Sequence, residues 1–178
     1  ILHYACELKK VNVVKYLISL KNIDINSQCS GKTPLYIAVE NCNTEIVRVL
    51  ITSQSIDVNF KYEQNKIEQF NYSSHRKNYL EHNEYPILYT AVNKGNVKIV
   101  NILLSNDNID INCYYMYKRE KDEWKDEYRY TDECKEFMQY QIPALYLAVK
   151  NRQNEIVRSF LAKQEIDVNC KYILKHDY

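Results

Sequence analysis

Chemistry in this chain would have to start from a few residues. His3 and Cys6 are spaced i, i+3, which on a helix puts an imidazole and a thiol on one face. Nucleophilic catalysis also needs a group to orient the base and donors for an oxyanion, and no such set accompanies the pair. His75 and His82 share one segment without a paired cysteine or clustered carboxylates, so they form no zinc-ligand pattern. The six cysteines, Cys6, Cys29, Cys42, Cys113, Cys134 and Cys170, contain no C-x-x-C pair. Scattered thiols fit a reducing, intracellular compartment, most simply the cytoplasm, better than a disulfide scaffold. With two glycines in all, a phosphate-cradling loop is not expected. From Tyr114 to Tyr130 aromatic and basic residues interleave, a pattern that can stack on single-stranded nucleic acid. Its five bases (Lys118, Arg119, Lys121, Lys125, Arg129) are matched by five acids (Glu120, Asp122, Glu123, Asp126, Glu127), so it offers phosphates no net attraction. Two readings of that stretch remain: a solvated charged tip, or a protein-binding tip anchored by Trp124 and the tyrosines. Catalytic, cofactor and metal residues are therefore expected to be absent, and the chain is expected not to be an enzyme.

The whole chain supports the same exclusions. Lys plus Arg number 24 against 23 Asp plus Glu, a net charge of +1 over 178 residues. Such a balance gives no field to gather nucleic acid or an anionic membrane. No run approaches the roughly 20 apolar residues of a membrane span; Lys15 interrupts the best one, Val11 to Leu20. The sequence opens at Ile1 without signal-peptide landmarks, and we read it as a piece of a longer protein.

What must position any functional residue is a repeat. Ile23-Asp24-Ile25-Asn26 returns as Ile56-Asp57-Val58-Asn59, Ile109-Asp110-Ile111-Asn112 and Ile166-Asp167-Val168-Asn169. The spacings are 57−24=33, 110−57=53 and 167−110=57. Ala5, Ala38, Ala91 and Ala148 follow the same offsets, and so do Val14, Val47, Val100 and Val157. The unit is thus 33 residues, with 20 extra before the third copy and 24 before the fourth. Each unit carries two apolar stripes of helical period, as Leu35, Ala38, Val39 and then Ile46, Val47, Leu50, Ile51. Thr33 is placed to cap the first helix and Pro34 to open it. Helices this short are unstable alone and must stack. The expected core is Leu2, Ala5, Val14, Leu17, Leu35, Ala38, Val47, Leu50, Leu88, Ala91, Val100, Leu103, Leu145, Ala148, Val157 and Phe160. An apolar stripe in the last copy leads us to expect further units beyond both ends.

Gly31-Lys32-Thr33-Pro34-Leu35-Tyr36-Ile37-Ala38-Val39 resembles the G-x-T-P-L-H-x-A motif of ankyrin repeats, and Ile56-Asp57-Val58-Asn59 the family's closing A-D-V-N. The resemblance implies an all-α solenoid of about four helix pairs with β-hairpin fingers, two of them lengthened. It is read as one array over residues 1–178, with repeats near 1–26, 27–59, 80–112 and 137–169 and insertions near 60–79 and 113–136. His3 matches the family histidine, which implies a structural role; Tyr36, Tyr89 and Tyr146 replace it elsewhere. The glycine expected between the helices appears only as Gly95, with Lys9, Cys42 and Arg152 in the other copies.

In the insertions, apolar positions alternate in Val58, Phe60, Tyr62, in Ile111, Cys113, Tyr115, Tyr117, and in Met138, Tyr140, Ile142. Period two reads as strands, hence lengthened hairpins. The polar middles, 64–78 and 118–136, are expected to be loop or a short helix. Pro86 and Pro143 stand one place earlier than Pro34, and the capping Thr is lost, so a longer finger should enter its helix differently.

The resemblance implies a protein–protein interaction scaffold or adaptor. Its binding residues would be Glu7, Glu40, Asn93 and Lys150 on the first helices, with Tyr62, Tyr115 and Trp124 on the fingers. The rival account is that the tyrosines only pack finger against finger, since lengthened hairpins need cover. A second reading makes the chain a substrate-targeting region of a larger kinase or ubiquitin ligase. Other proteins are the expected partners, without nucleic acid, membrane or cofactor.

Overall fold

The computed structural model describes all residues except 21, 73–74, 123–136 and 178. Its helices come in pairs: α1 (Leu2–Glu7) with α2 (Val11–Ile18), α3 (Pro34–Glu40) with α4 (Thr44–Ile51), α5 (Ile87–Asn93) with α6 (Val97–Leu104), and α7 (Ala144–Lys150) with α8 (Asn154–Leu161). None exceeds 8 residues, so each depends on its neighbours for stability. First helices stack α1 on α3 on α5 on α7, and second helices α2 on α4 on α6 on α8. No helix among the described residues is long and apolar enough to cross a membrane.

The turn inside every pair is one Schellman closure. Lys9, Cys42, Gly95 and Arg152 all take left-handed φ, from 54° to 67°. The next N–H reaches back to the landmark alanine: Lys10 to Ala5 O, Asn43 to Ala38 O, Asn96 to Ala91 O and Gln153 to Ala148 O, at 2.8–3.3 Å. These bonds satisfy carbonyls that a helix end would otherwise leave open. Three of the four left-handed residues are not glycine, yet the geometry matches that of Gly95.

The closing Asn of each unit ties it to the next. Asn26 Nδ2 donates to Ser55 O, and Asn26 Oδ1 accepts from Asp57 N. Asn59 does the same with Asn108 O and Asp110 N, and Asn112 with Glu165 O and Asp167 N, all at 2.6–2.9 Å. One amide thus pairs a donor and an acceptor of the neighbouring loop, and the repeat spacing is fixed three times.

The core follows the expected positions in all but two places. Val47, Leu50, Val100 and Leu103 are fully buried, whereas Leu17 and Val157 are only partly so. Leu17 is in the first of the four described units and Val157 in the last, each packed on one neighbouring unit among the described residues.

The chain is not all-α. Among the described residues five strands, β1 (Lys61–Tyr72), β2 (His75–Pro86), β3 (Tyr114–Asp122), β4 (Phe137–Pro143) and β5 (Ile173–Asp177), form one antiparallel sheet in that order. Both fingers are hairpins, and β2 pairs with β3 from Asn78–Asp122 to Glu84–Met116, so the two merge. The middle of the first finger is therefore strand through 64–72 and 75–78, not loop or helix. Pairing on both sides of β2 satisfies backbone groups that a loop would leave to water. The second finger's strands reach Asp122 and begin again at Phe137; the rest of its middle, with Trp124, lies outside the described residues.

Helix entry differs between short and long fingers, as the proline shift implies. Thr33 Oγ1 accepts from Tyr36 N at 3.2 Å and caps α3. Pro86 and Pro143 instead occupy the N-cap positions of α5 and α7 while ending β2 and β4. There Ile87 N donates to Phe60 O and Ala144 N to Cys113 O, at 3.2 and 3.0 Å. The base of the finger takes over the satisfaction of the helix N-terminus.

Candidate partner-binding surface

Because first helices stack directly, equivalent positions on them form a row. Glu7, Asn93 and Lys150 are exposed, and Glu40 is half-buried. Glu40 is held by Lys32, whose Nζ lies 2.7 and 2.9 Å from its two carboxylate oxygens. The same ammonium sits 4.8 Å from the ring centre of Tyr62. Glu40, Lys32 and Tyr62 thus form one cluster that joins the helix row to the first strand of the sheet.

Above the row, tyrosines cross the sheet from strand to strand. Ring centres are 5.2 Å apart for Tyr36–Tyr62, 6.2 Å for Tyr62–Tyr85, 4.9 Å for Tyr85–Tyr115, 6.0 Å for Tyr115–Tyr140 and 6.1 Å for Tyr140–Tyr172. Tyr36, Tyr89 and Tyr146, which stand where His3 stands in the first unit, meet this file from the helices. Offset and tilted pairs at such spacing add about 0.5–1.5 kcal/mol each beyond area burial. The rings therefore fasten the sheet to the stack. Burial pushes the Tyr36 hydroxyl up to about 12, and those of Tyr89, Tyr115 and Tyr117 further.

Tyr62 and Tyr115 share one face of the sheet but differ in access. Tyr62 is half-buried, whereas Tyr115 is 9% exposed, covered by Tyr85, Tyr89 and Tyr140, with its hydroxyl donating to buried Asn83. Farther out, the same face turns polar. Tyr117 donates to Glu81 at 2.7 Å, and Arg119 lies 3.6 Å from Glu68 and 4.1 Å from the ring centre of Tyr79. This face offers a partner aromatic surface near the helices and paired charges toward the tip.

The other candidates have structural partners. His3 donates from Nε2 to Ser27 O at 2.7 Å, which spans the first and second units. Cys6 is fully buried, and desolvation raises its thiol to about 12, far from a nucleophile. His82 bonds to Asn65 and Glu84 on the opposite face of the sheet. No group of three or more His, Cys, Asp or Glu side chains among the described residues could hold a metal ion. The sequence reading missed Tyr85 and Asn83. Antiparallel register opposite Tyr62 and Gln64 would have found both.

Residues 1–62 match a family model described as ankyrin repeats (3 copies). Among solved structures, the chain is similar to the crystal structure of EF0377, an ankyrin repeat protein, with a TM-score of 0.60 and 18% identity. That similarity covers 96% of this chain and 65% of the other, and it concerns the fold alone. No curated protein matches this sequence.

Proposed function

We propose that this chain, an ankyrin-repeat protein, is a non-catalytic scaffold that binds another protein between its first-helix row and the tyrosine face of its sheet. The observation that carries this reading is the merging of two lengthened fingers into one wall that meets the first-helix row at Glu40, through Lys32 and Tyr62. An extended rigid wall with aromatic and charged groups presents large contact area at little entropic cost. Tyr62, half-buried beside Lys32 and Glu40, is the finger tyrosine available to a partner; Tyr115 serves the wall from within.

The test is a comparative capture experiment on cell extract. The bait variants are Lys150→Glu with Asn93→Arg on the row, replacement of 64–78 and 118–136 by short turns, and Arg48→Glu on the exposed side of α4 as control. Proteins held by the parent should be retained by the control and lost from both other baits, with helical circular dichroism kept throughout. Equal capture by all four baits would defeat this reading.

A further inference from the structure

One edge of the sheet arises inside the chain. Among the described residues β1 pairs with β2 on one side and with no strand on the other. The finger before it, residues 27–32, is short and closes on the single Cys29–Lys32 bridge, so it cannot run along a strand of 12 residues. Beyond its base, β1 therefore shows a row of backbone N–H and C=O groups that another strand can pair with. Ile67, midway along β1, is 63% exposed, and Leu80 opposite it on β2 is 43% exposed. Both lie on the face turned away from the tyrosine file, because side chains of a strand alternate between faces and Tyr62 is an odd number of places from Ile67.

The charges along β1 suit one strand at that edge, which is β1 itself. Two copies can pair antiparallel about a two-fold axis perpendicular to the sheet. Each face then stays continuous, so odd residues meet odd ones and even meet even. With the axis at Ile67, that side chain meets the partner's Ile67, and Lys66 lies opposite the partner's Glu68 on both sides of the axis. An axis at Lys66 would set Lys66 against the partner's Lys66, and an axis at Glu68 would set Glu68 against the partner's Glu68. Like charges directly opposite are destabilising and unlike ones favourable. The residues that repel in either neighbouring register thus attract in this one. The exposed pair Leu80 and Ile67 also continues across the axis into the partner's Ile67 and the partner's Leu80. Pairing over residues 63–71 lies outward of the Lys32–Tyr62 contact at the base.

We infer that two copies of this chain join through their β1 edges, antiparallel about a two-fold axis at Ile67, so that their sheets become one. The same patch serves both copies, so assembly closes at a dimer. Both tyrosine faces then lie on one side of the joined sheet.

Sedimentation velocity on the 178-residue chain tests this. Over a dilution series the weight-average mass should rise from monomer to a plateau at dimer. Lys66→Glu and Glu68→Lys each turn two attracting pairs into two repelling ones. Each alone should associate about tenfold or more weakly than the parent. Their equimolar mixture should dimerise as the parent does, because every carboxylate at the junction then faces an ammonium. Glu68 also lies 3.6 Å from Arg119 within its own chain, so far-UV circular dichroism is compared for each variant. If Glu68→Lys alters the spectrum, Ile67→Lys and Ile67→Asp replace the pair. They change a side chain exposed in the monomer and set like charges on the axis, so each alone should be monomeric and their mixture dimeric. A mass that passes dimer without a plateau, a single variant that associates as the parent does, or a mixture no tighter than its components overturns the inference. So does a parent that stays monomeric, which would leave the β1 edge to a strand of another protein.

Discussion

A left-handed residue other than glycine costs roughly 1–2 kcal/mol through its Cβ, and three units accept that cost at Lys9, Cys42 and Arg152. Each is exposed, and each sits in the Schellman turn that aims its second helix. Cys42→Gly should therefore raise stability by roughly 0.5–1 kcal/mol, after allowing for glycine's greater freedom in the unfolded chain. The measurement is the urea midpoint, which should rise with its slope unchanged; a fall would mean that the Cys42 side chain makes a contact the turn needs. The irregular turn was legible from the sequence as three missing glycines. The burial of Tyr115 was not, because Tyr62 and Tyr115 hold equivalent places and look alike. Tyr62 has one strand partner, β2, whereas Tyr115 has one on each side, β2 and β4. The inner position buries the ring.

Among the elements, the helix pairs and the two hairpins were readable because their side-chain periods are local, and the pairing of one hairpin with the other was not because it is distant. Nothing near Asn78 to Glu84 announces β3 as its partner; the match is made by Glu81 opposite Arg119 and Asn83 opposite Tyr117, across a separation that only the stack brings together. The closing Asn is a similar case. Its recurrence is plain in the sequence, but its partners lie in the loop of the next unit. Asn59→Ala would strip Asn108 O and Asp110 N of their side-chain partner, at a cost of about 1 kcal/mol, since both lie at the surface where water partly replaces the amide. Asn169→Ala removes no side-chain hydrogen bond among the described residues and should leave stability unchanged. Urea unfolding of both variants at low protein concentration checks the contrast. Equal midpoints for the two would show that the ladder does not hold units together.

At the scale of the molecule, the buried acids that matter are weak ones. Cys6 and Cys113 thiols, ordinarily near 9.0, and the Tyr36 hydroxyl, ordinarily near 10.0, are pushed up to about 12, and Tyr89, Tyr115 and Tyr117 move further the same way. Burial is the first cause in each, because an anion there would lose its water. The folded state keeps these protons longer than the unfolded state. Their contribution is complete below the unfolded values and is lost as pH rises toward the folded ones, since above 9.0 to 10.0 the unfolded chain binds fewer protons. Stability should therefore hold level up to about pH 9 and then fall steeply, with tyrosinate absorbance from the buried rings appearing together with the loss of helix. The ring ladder makes this a property of the sheet and stack together, because Tyr36 and Tyr89 belong to helices and Tyr115 and Tyr117 to β3. Tyr115→Phe separates this account from general alkaline damage. It keeps the ring but leaves Asn83 without its donor, which lowers stability at neutral pH by about 1–3 kcal/mol. It also removes one of the titrating groups, so its alkaline limb should be shallower than the parent's. The slope is the deciding quantity: identical slopes above pH 10 for parent and variant would mean that Tyr115 ionises freely in the fold and that the file of rings does not exclude water.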